Sequence, residues 1–478
     1  MRVVFAASEA APFCKTGGLA DVAGALPRAL ASAGHEVSLF LPYYRTVRSR
    51  WPGRLAAKLS FPFGAGEGRA DLLRADAPGP AVFFVDCPVF FDREGLYQAG
   101  GKDHPDNGER FAFFCRAVIE GAKACVEGVQ VFHCHDWQSA LIPAFLRTLY
   151  RAEPVARAAT VLTVHNAAYQ GLFPRTLARA SGLPEEQFTP EWLEYYGQLN
   201  FLKAGLVYAE KINAVSPSYA REVQGSAEFG RGLEGVFRGR RDDLSGILNG
   251  LDGDAWDPSR DPHLARRYGA QDAAEGKTAC RKALLKECGL SAGRGPLVAI
   301  VSRLDPQKGL DLALEALPPL LERGWRLAVL GQGEDSLARR LRALALENPK
   351  AVHFRETFDE PFAHRLYAAC DLFLMPSRFE PCGLGQLIAM RYGGVPVGVK
   401  TGGLADTLTE GGPRANGFLA PKPEAAALLA ALGRAFAAFS DKDAWSKLRE
   451  SCMLYDSSWT RSAGLYADLY KAAVERLG

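Results

Sequence analysis

The chain has 478 residues, 48% of them hydrophobic and 23% charged, and its net charge at pH 7 is +3. This length exceeds what one hydrophobic core usually organises, so we expect two domains. The weak net charge and the lack of a Lys/Arg block argue against nucleic acid as a partner. No apolar run approaches the ~20 residues of a membrane span, so no membrane association is expected.

Cysteine usage and the N-terminal residues indicate a reducing compartment. The ten cysteines are scattered singly and form no CxxC pair, which argues against a zinc ribbon or a disulfide framework. A strand pattern begins at Val3 with no signal-type stretch before it. We therefore expect a cytoplasmic protein.

The first half of the chain alternates short apolar segments with segments of helical spacing. A strand is predicted at 2–7, a helix runs from Leu19 and ends at Gly34, and a second strand follows at 36–41. This βαβ order predicts a parallel sheet. The other predictions for this half are strands at 81–86, 129–133, 160–165 and 211–215 and helices at 110–125 and 139–149.

A turn-rich stretch at 249–254 is predicted to link two domains, and a second α/β alternation follows it. The sequence thus predicts an α/β fold with two doubly wound Rossmann-like domains, at 1–250 and 251–455, and a helical segment at 456–478. Ligands of such folds bind outside the carboxyl ends of the strands, so we expect both sheets to face a deep interdomain cleft. The predictions for the second half are strands at 296–301, 326–330, 351–354, 371–375 and 395–399 and helices at 424–439 and 459–477.

The heptapeptide KTGGLAD occurs twice, at 15–21 and at 400–406. Each copy follows a strand pattern and precedes a segment that can begin a helix. A glycine pair lets backbone N–H groups approach an anion, a helix N-terminus favours negative charge, and the lysine adds a mobile cation. A single copy could be a plain glycine-rich loop, but two copies predict one negatively charged ligand, first of all a phosphate, held by both domains.

Two further polar segments follow predicted strands of the second half. The segment 302–309 carries Arg303 and Lys308, which can neutralise a diphosphate leaving group without a metal, although a solvated surface loop would look similar. The segment 376–384 carries Glu380, which can accept hydrogen bonds from the hydroxyls of a sugar. The alternative for Glu380 is a carboxylate that caps a helix.

Histidines end two predicted strands of the first half. His133 and His135 share one strand face, but no third ligand stands at a suitable spacing, so no metal site is predicted. Polar groups at such strand ends are instead expected to contact substrate. The stretch 8–12 after the first strand lacks the GxGxxG pattern, which argues against a nicotinamide enzyme, and the lone GxG at 331–333 does not separate a turn from a ligand loop.

Several longer segments carry a resemblance to a known family. They are KTGGLADV at 15–22, HDWQSAL at 135–141, TVHNAAYQG at 163–171, VSPSYARE at 215–222, GILNGLD at 246–252, SRLDPQKG at 302–309, PSRFEPCGL at 376–384 and KTGGLADT at 400–407. Over nearly its whole length the chain resembles bacterial glycogen synthases and plant starch synthases, which are retaining glycosyltransferases of the GT-B fold.

The resemblance implies a reaction. Glucose would pass from ADP-glucose to the 4-hydroxyl at the non-reducing end of an α-1,4-glucan such as a glycogen primer, with retention at the anomeric carbon. The residues offer lysine and arginine but no ligand cluster, so no metal and no cofactor are expected, and no obligate protein partner is evident. The resemblance implies that the final helix crosses back to the N-terminal domain. The residues by themselves leave ADP and UDP open as the donor base.

The resemblance also implies residue roles. Lys15, Arg303 and Lys308 are similar to the residues that contact the donor phosphates and distal sugar. Glu380 and His165 match an essential glutamate and a histidine near the transferred sugar. The catalytic set is then Glu380, His165, Lys308 and Arg303, and the substrate-binding set is Lys15, Gly17, Gly18, Asp21, Tyr97, Asp136, Asn166, Phe358, Cys382, Gly383, Leu384, Thr401, Gly402 and Gly403.

Three positions depart from the family pattern. Ile388 stands where many retaining GT-B enzymes carry a second glutamate, so only the first carboxylate, Glu380, can be assigned, which fits the synthase branch. No pair of carboxylates spaced like that of a glycosidase is evident, so a double displacement is not supported. Gly385 stands where relatives usually carry threonine or another larger residue, and Phe358 aligns with a tyrosine near the adenine, where either ring can stack.

Two other functions remain open from the sequence. A glucan phosphorylase shares the two-domain fold, but it needs a lysine that carries pyridoxal phosphate and usually has a far longer chain. A non-catalytic sensor of sugar nucleotides could keep Lys15 and lose Glu380, whereas this chain has both.

Overall fold

The chain forms two compact units, and the computed structural model describes all residues, 1–478. The first unit contains Met1–Gly250 and Trp459–Gly478, and the second contains Leu251–Ser458. The chain therefore passes from the first unit to the second inside the turn-rich stretch at 249–254. None of its helices combines the length and apolar character that a bilayer span requires.

A nine-stranded sheet forms the centre of the first unit. Its strands are parallel except for the hairpin of Gly53–Phe63 and Gly66–Ala75, which adds antiparallel to Ala81–Asp86 at one edge. Parallel strands are covered on both faces, and Val3 through Ala6 are accordingly fully buried. In spatial order the strands are Leu244–Gly246, Lys211–Ala214, Ala159–Val164, Val131–His135, Arg2–Ala6, Glu36–Pro42, Ala81–Asp86, Gly66–Ala75 and Gly53–Phe63.

Helices cover the sheet of the first unit, and two small antiparallel sheets lie in its connections. The α-helices are Gly18–Ser32, Arg45–Arg48, Pro88–Phe91, Asn107–Cys125, Asp136–Ser139, Leu141–Arg147, Thr176–Ser181, Phe201–Tyr208, Pro217–Gly225, Ala227–Gly230, Glu234–Gly239 and Trp459–Leu477, and the 3₁₀ turns are Pro154–Arg157, Glu185–Gln187 and Arg241–Asp243. The small sheets are Leu172–Pro174 with Gln198–Asn200 and Glu194–Tyr195, and Gln98–Ala99 with Lys102–Asp103.

The structure corrects three local predictions for this unit. The strand predicted at 129–133 is Val131–His135, because its pairing with the first strand begins at Val3 opposite Val131. The helix predicted at 139–149 is two helices, since Pro143 has no N–H to donate to the carbonyl of Ser139. The edge hairpin was not predicted, because much of its first strand is exposed and lacks an apolar run.

The last helix, Trp459–Leu477, packs against the first helix and the strand Ala159–Val164 of the first unit. The hydroxyl of Tyr466 accepts a 2.8 Å hydrogen bond from Asn213, and that of Tyr470 lies 2.8 Å from Nδ1 of His133. Both tyrosines are fully buried. The helix therefore completes the hydrophobic core of the first unit, although it follows the second unit in the chain.

The second unit is built on a six-stranded, wholly parallel sheet. In spatial order its strands are Val352–Arg355, Arg326–Leu330, Leu297–Val301, Leu372–Met375, Val395–Val399 and Phe418–Ala420. Its α-helices are Ala273–Glu287, Leu310–Ala316, Pro318–Leu321, Asp335–Glu347, Glu360–Ala369, Gly385–Arg391, Gly402–Thr407, Ala425–Ser440 and Lys442–Met453, with a 3₁₀ turn at Pro306–Lys308.

A buried lysine joins two helix ends behind this sheet. The Lys277 ammonium donates to the carbonyl oxygens of Tyr367 (3.3 Å), Ala368 (3.0 Å) and Tyr392 (2.9 Å). These carbonyls lie at the C-terminal ends of Glu360–Ala369 and Gly385–Arg391, where the helix dipole favours a cation. Burial nevertheless lowers the pKa of Lys277 to about 8. The contact fixes the helix that follows the segment 376–384.

Candidate active site

Two neighbouring strands of the first unit end side by side, and a polar residue follows each. His135 lies opposite Thr163 in the register, so Asp136 and His165 emerge at the same edge of the sheet. Oδ1 of Asp136 accepts a 2.6 Å hydrogen bond from the backbone N–H of His165. Asp136 has a φ of 51°, a left-handed conformation that is uncommon outside glycine and is concentrated at functional sites.

A chain of hydrogen bonds leads inward from His165. Its Nε2 lies 2.9 Å from Nδ1 of His135, and the ring of His135 packs 4.1 Å, centroid to centroid, from that of His133. His133 in turn bonds Thr163 at 2.7 Å and Tyr470 at 2.8 Å. The prediction that His133 and His135 share a strand face is therefore correct. His133 is fully buried and bonded inside the unit, so the substrate contact expected of polar groups at strand ends does not fall on His133.

Burial keeps these imidazoles neutral. Desolvation lowers the pKa of His165 to about 3 and places those of His133 and His135 well below the ordinary value. His165 is therefore an uncharged hydrogen-bonding group at neutral pH. No group of three or more His, Cys, Asp or Glu side chains is arranged to hold a metal ion.

The first KTGGLAD copy rests on a buried carboxylate that the sequence did not single out. Oε2 of Glu9 accepts hydrogen bonds from both the backbone N–H and the hydroxyl of Thr16, and only 3% of Glu9 is exposed. Burial raises the pKa of Glu9 to about 7. Beside it Nζ of Lys15 lies 2.6 Å from Oδ1 of Asp21. The available signal was an acidic residue in the apolar stretch after the first strand.

Two predicted site residues, Tyr97 and Asp136, interact with Glu9 or with its neighbour Ser8. The hydroxyl of Tyr97 is 2.7 Å from that of Ser8, the neighbour of Glu9, and burial raises the pKa of Tyr97 well above its usual value. Burial also raises the pKa of Asp136 to about 7, and the charge of Glu9 adds to that rise. Glu9 and Asp136 are thus a pair of carboxyl groups that titrate near neutrality.

In the second unit, Glu380 and Lys308 form a buried ion pair. The Lys308 ammonium lies 2.9 and 2.7 Å from the two carboxylate oxygens, and the Ser377 hydroxyl donates to Oε2 at 2.9 Å. Only 5% of Glu380 is exposed. Arg303 is half exposed and lies 3.2 Å from Asp305, whose side chain also accepts from the backbone N–H of Lys308. The alternative of a helix-capping role for Glu380 finds no support in these contacts.

A second ion pair, which the sequence did not indicate, fastens the two loops that carry these residues. The Arg378 guanidinium binds both carboxylate oxygens of Asp311, at 2.8 and 2.6 Å, and donates to the carbonyl of Pro306 at 3.0 Å. The backbone N–H of Arg378 also donates to the carbonyl of Gln307 at 2.8 Å. The positions of Glu380 and Lys308 are therefore set relative to each other.

The second KTGGLAD copy needs its glycines for packing against protein backbone. A Cβ on Gly402, whose φ is 42°, would collide with the carbonyl oxygen of Glu380, and one on Gly403 would collide with that of Cys382. The N–H of Gly403 donates to the Glu380 carbonyl at 2.9 Å. The glycine pair is thus required because its backbone lies directly against the backbone of the segment 376–384.

The departure at Gly385 also has a physical reason. A Cβ there would come within 2.8 Å of the Phe373 ring, so that ring occupies the space of a larger side chain. Phe358 lies in a loop of the same unit and is 66% exposed, which leaves its ring available for stacking.

The structure places the predicted site residues in two groups. The first unit holds Lys15, Gly17, Gly18, Asp21, Tyr97, Asp136, His165 and Asn166, and the second holds Arg303, Lys308, Phe358, Glu380, Cys382, Gly383, Leu384, Thr401, Gly402 and Gly403.

Each of the two units matches a known protein-family model. Residues 2–239 match the family model of the starch synthase catalytic domain, and residues 285–447 match that of glycosyl transferases group 1. The two sheets, one mostly and one wholly parallel, and these matches define a glycosyltransferase of the GT-B class. Curated proteins named glycogen synthase are similar over nearly the full chain. That of Paramagnetospirillum magneticum is 46% identical over 99% of this chain and 97% of its own, and that of Anaeromyxobacter dehalogenans is 46% identical over 98% and 99%. The chain therefore belongs to the glycogen synthase and starch synthase family, and the predicted family is confirmed.

Solved structures agree with the assignment. The catalytic domain of starch synthase IV from Arabidopsis thaliana, which was solved bound to ADP and acarbose, has a TM-score of 0.92, 33% identity and 99% coverage of both chains. A sucrose-phosphate synthase from Thermosynechococcus elongatus has a TM-score of 0.59 at 18% identity, which supports the fold alone.

Glu9→Gln should remove a pH dependence from the stability of the first unit. The folded-state pKa of Glu9 is raised from 4.5 to about 7. The stabilisation of the folded state that comes from this shift is therefore fully present below pH 4.5 and is lost as the pH rises through 7. Between pH 4.5 and about 8, the free energy of unfolding of the wild type should therefore fall relative to the variant by about 1–3 kcal/mol. Urea denaturation at a series of pH values measures the difference. The exposed Glu36→Gln is the control, and parallel curves for wild type and Glu9→Gln would contradict the assignment.

A double-mutant cycle on Arg378→Ala and Asp311→Ala should give a coupling free energy of about 1–2 kcal/mol for unfolding of the second unit, because the pair is bidentate and half-buried. The exposed Arg339–Asp335 pair on a helix of the same unit is the matched control, with an expected coupling below about 0.5 kcal/mol. Equal coupling for the two pairs would show that Arg378 does not fasten the loops.

Proposed function

We propose that this protein is a glycogen synthase that transfers glucose from ADP-glucose to the non-reducing end of an α-1,4-glucan, with retention of anomeric configuration. The observation that carries the proposal is the buried Lys308–Glu380 pair at the carboxyl edge of a parallel sheet, in a chain that matches glycogen synthases over its full length. The catalytic domain of Arabidopsis starch synthase IV, solved with ADP and acarbose, supports a nucleotide-sugar donor and a glucan acceptor.

The second unit supplies charge for the leaving group. Heterolysis of the bond between glucose and diphosphate builds negative charge on the phosphate oxygens, which Lys308 and the half-exposed Arg303 can oppose. An ammonium has three N–H donors, and Lys308 gives two of them to Glu380, so one remains for a phosphate oxygen. Glu380, held by Lys308 and Ser377, can then accept hydrogen bonds from glucose hydroxyls without an uncompensated buried charge.

The first unit supplies a neutral histidine together with charged and hydroxyl-bearing side chains. His165 has a pKa of about 3, so we assign it a hydrogen bond to a sugar hydroxyl and not proton donation. Lys15 is assigned to the donor phosphates, Asp136 and Asn166 to sugar hydroxyls, and Tyr97 to the acceptor side. Burial and local hydrogen bonds hold Asp136 and Tyr97 in place for these roles.

In the proposed transfer, one bond breaks between glucose and the diphosphate and one bond forms between glucose and the acceptor. The acceptor O4 forms a bond to the anomeric carbon on the face from which the phosphate leaves, and the O4 proton passes to the departing phosphate oxygen. Ile388 stands where many retaining GT-B enzymes carry a second glutamate, so Glu380 is the one carboxylate assigned in this segment. A double displacement has no support, because the assigned residues contain no pair of carboxylates spaced like that of a glycosidase. The step requires no oxidant, metal or cofactor for its balance.

The cellular setting is part of the same proposal. We place the protein in the cytoplasm, and the ten free cysteines are in accord with a reducing compartment. The phosphorylase alternative finds no support in the family assignment. The sensor alternative predicts donor binding without turnover, which the following experiment distinguishes.

Initial rates on a glycogen primer should show a higher kcat/KM with ADP-glucose than with UDP-glucose. Transfer should persist in EDTA, since arginine and lysine side chains carry the charge compensation. Product analysis by debranching and chain-length measurement separates transfer from nucleotide hydrolysis. Equal or better kcat/KM with UDP-glucose would overturn the donor assignment, and donor binding without any transfer would establish the sensor alternative.

Lys308→Ala, Arg303→Ala and Glu380→Ala should each lower kcat by roughly 10²–10³, the usual loss when one charge-assisted contact is removed from a preorganised site. The matched control is Arg339→Ala, an exposed arginine of the same unit, which should keep the wild-type rate. Thermal unfolding of each variant checks that the fold is intact. Losses of tenfold or less for all three folded variants would show that the site is misassigned.

A further inference from the structure

Backbone strain marks a second surface of the first unit. Three residues other than glycine have left-handed φ angles: Asp136 at 51°, Tyr196 at 48° and Arg231 at 54°. Such residues are sterically unfavourable and cluster at functional sites. Asp136 belongs to the site already described, whereas Tyr196 and Arg231 lie on either side of Tyr195, whose ring contacts that of Tyr196 and whose hydroxyl bonds the Arg231 carbonyl.

Tyr196 occupies the tip of a tight hairpin. Tyr195 pairs with Gln198, so Tyr196 and Gly197 are the two central residues of the turn, with φ angles of 48° and 80°. Turns with two left-handed central residues strongly favour Asn, Asp or Gly at the first position. Tyr196 is 86% exposed, so burial in this unit does not explain the choice of an aromatic residue at a strained position.

The neighbouring ring is held firmly. Tyr195 lies edge-on to Tyr196, with ring centroids 4.7 Å apart and an interplanar angle of 90°. The Tyr195 hydroxyl donates to the carbonyl of Arg231 at 3.0 Å, and a Cβ on Gly232 would collide with that hydroxyl. The left-handed backbone at 231–232 thus provides both the carbonyl acceptor and the space for the Tyr195 hydroxyl.

The same carbonyl connects the hairpin to the site segment. Nε2 of Gln170 also donates to the Arg231 carbonyl, at 2.9 Å, and to that of Ala167 at 3.2 Å. Oε1 of Gln170 accepts a 2.7 Å hydrogen bond from the buried Asn200, which lies on the second strand of the hairpin itself, Gln198–Asn200. The hairpin is therefore fastened to the segment that continues directly from His165.

We propose that Tyr195 and Tyr196 form a docking platform for α-1,4-glucan chains, on which the acceptor polysaccharide is held away from its reacting end. This inference rests on the proposed function, since it concerns the acceptor of the same reaction. A glucose ring presents an apolar C–H face that stacks on an aromatic ring, and a tyrosine ring has an apolar body with a hydroxyl for the sugar's polar rim. A glucan is uncharged, so the platform needs no ion pair to bind it.

Tyr196→Asn separates binding from folding, because asparagine accepts the left-handed turn position better than tyrosine does. The variant should keep or raise the thermal midpoint while it loses the exposed ring. The dissociation constant for glycogen, measured by affinity electrophoresis without donor, should rise roughly three- to tenfold, as expected for one lost aromatic contact. The KM for glycogen should rise with it, while kcat and the KM for ADP-glucose stay unchanged. Tyr196→Trp should retain glycogen affinity.

The control is Leu346→Asn, which removes an 81% exposed apolar side chain from the second unit and should not change glycogen affinity. Wild-type glycogen affinity in a folded Tyr196→Asn variant would overturn the proposal. If that folded variant also sediments as a smaller species than the wild type, the two tyrosines form a contact between copies of this chain and not a glycogen site. If the wild type fails to transfer glucose, the proposed function fails, but electrophoresis still reports whether the platform binds glycogen.

Discussion

The cost of burying a carboxylate controls the local structure of both groups of site residues. A carboxylate removed from water must gain a cation or several hydrogen bonds, or else it is protonated. Glu380 meets this requirement with a lysine ammonium and a serine hydroxyl. Because both oxygens are engaged, the loop at 376–384 can adopt few positions, and the Arg378–Asp311 pair limits it further.

The first unit meets the same requirement differently. Glu9 and Asp136 are compensated by hydroxyl and backbone N–H groups instead of by cations, and burial raises the pKa of both to about 7. The histidines behind them are neutral for the same reason of burial. Glu9 and Asp136 therefore change charge near neutral pH, whereas the buried carboxylate of the second unit, Glu380, is held in an ion pair with Lys308.

The repeated heptapeptide shows that identical residues can meet different demands. In the first copy, Thr16 is bound by the buried Glu9, and Lys15 pairs with Asp21 of the helix that follows. In the second copy, the glycine pair allows the turn to pack directly on the backbone that follows Glu380. The resemblance between the copies lies in the strand-to-helix turn, and the surroundings decide what each side chain contacts.

The sequence by itself determined the alternation of strands and helices, the family and the loops that carry Lys308 and Glu380. Strands buried on both faces are continuous apolar runs, so Ala81–Asp86, Arg326–Leu330 and Val395–Val399 were predicted with their observed bounds. The edge hairpin lacked such a run and was missed. Only the tertiary structure decided which side chains compensate one another. Tyr470 reaches His133 across 337 residues of sequence, and Asp311 reaches Arg378 across 67. The reason is physical: local spacing reports which face of an element is apolar, whereas partners, burial and the resulting pKa values depend on elements that meet only in the folded chain.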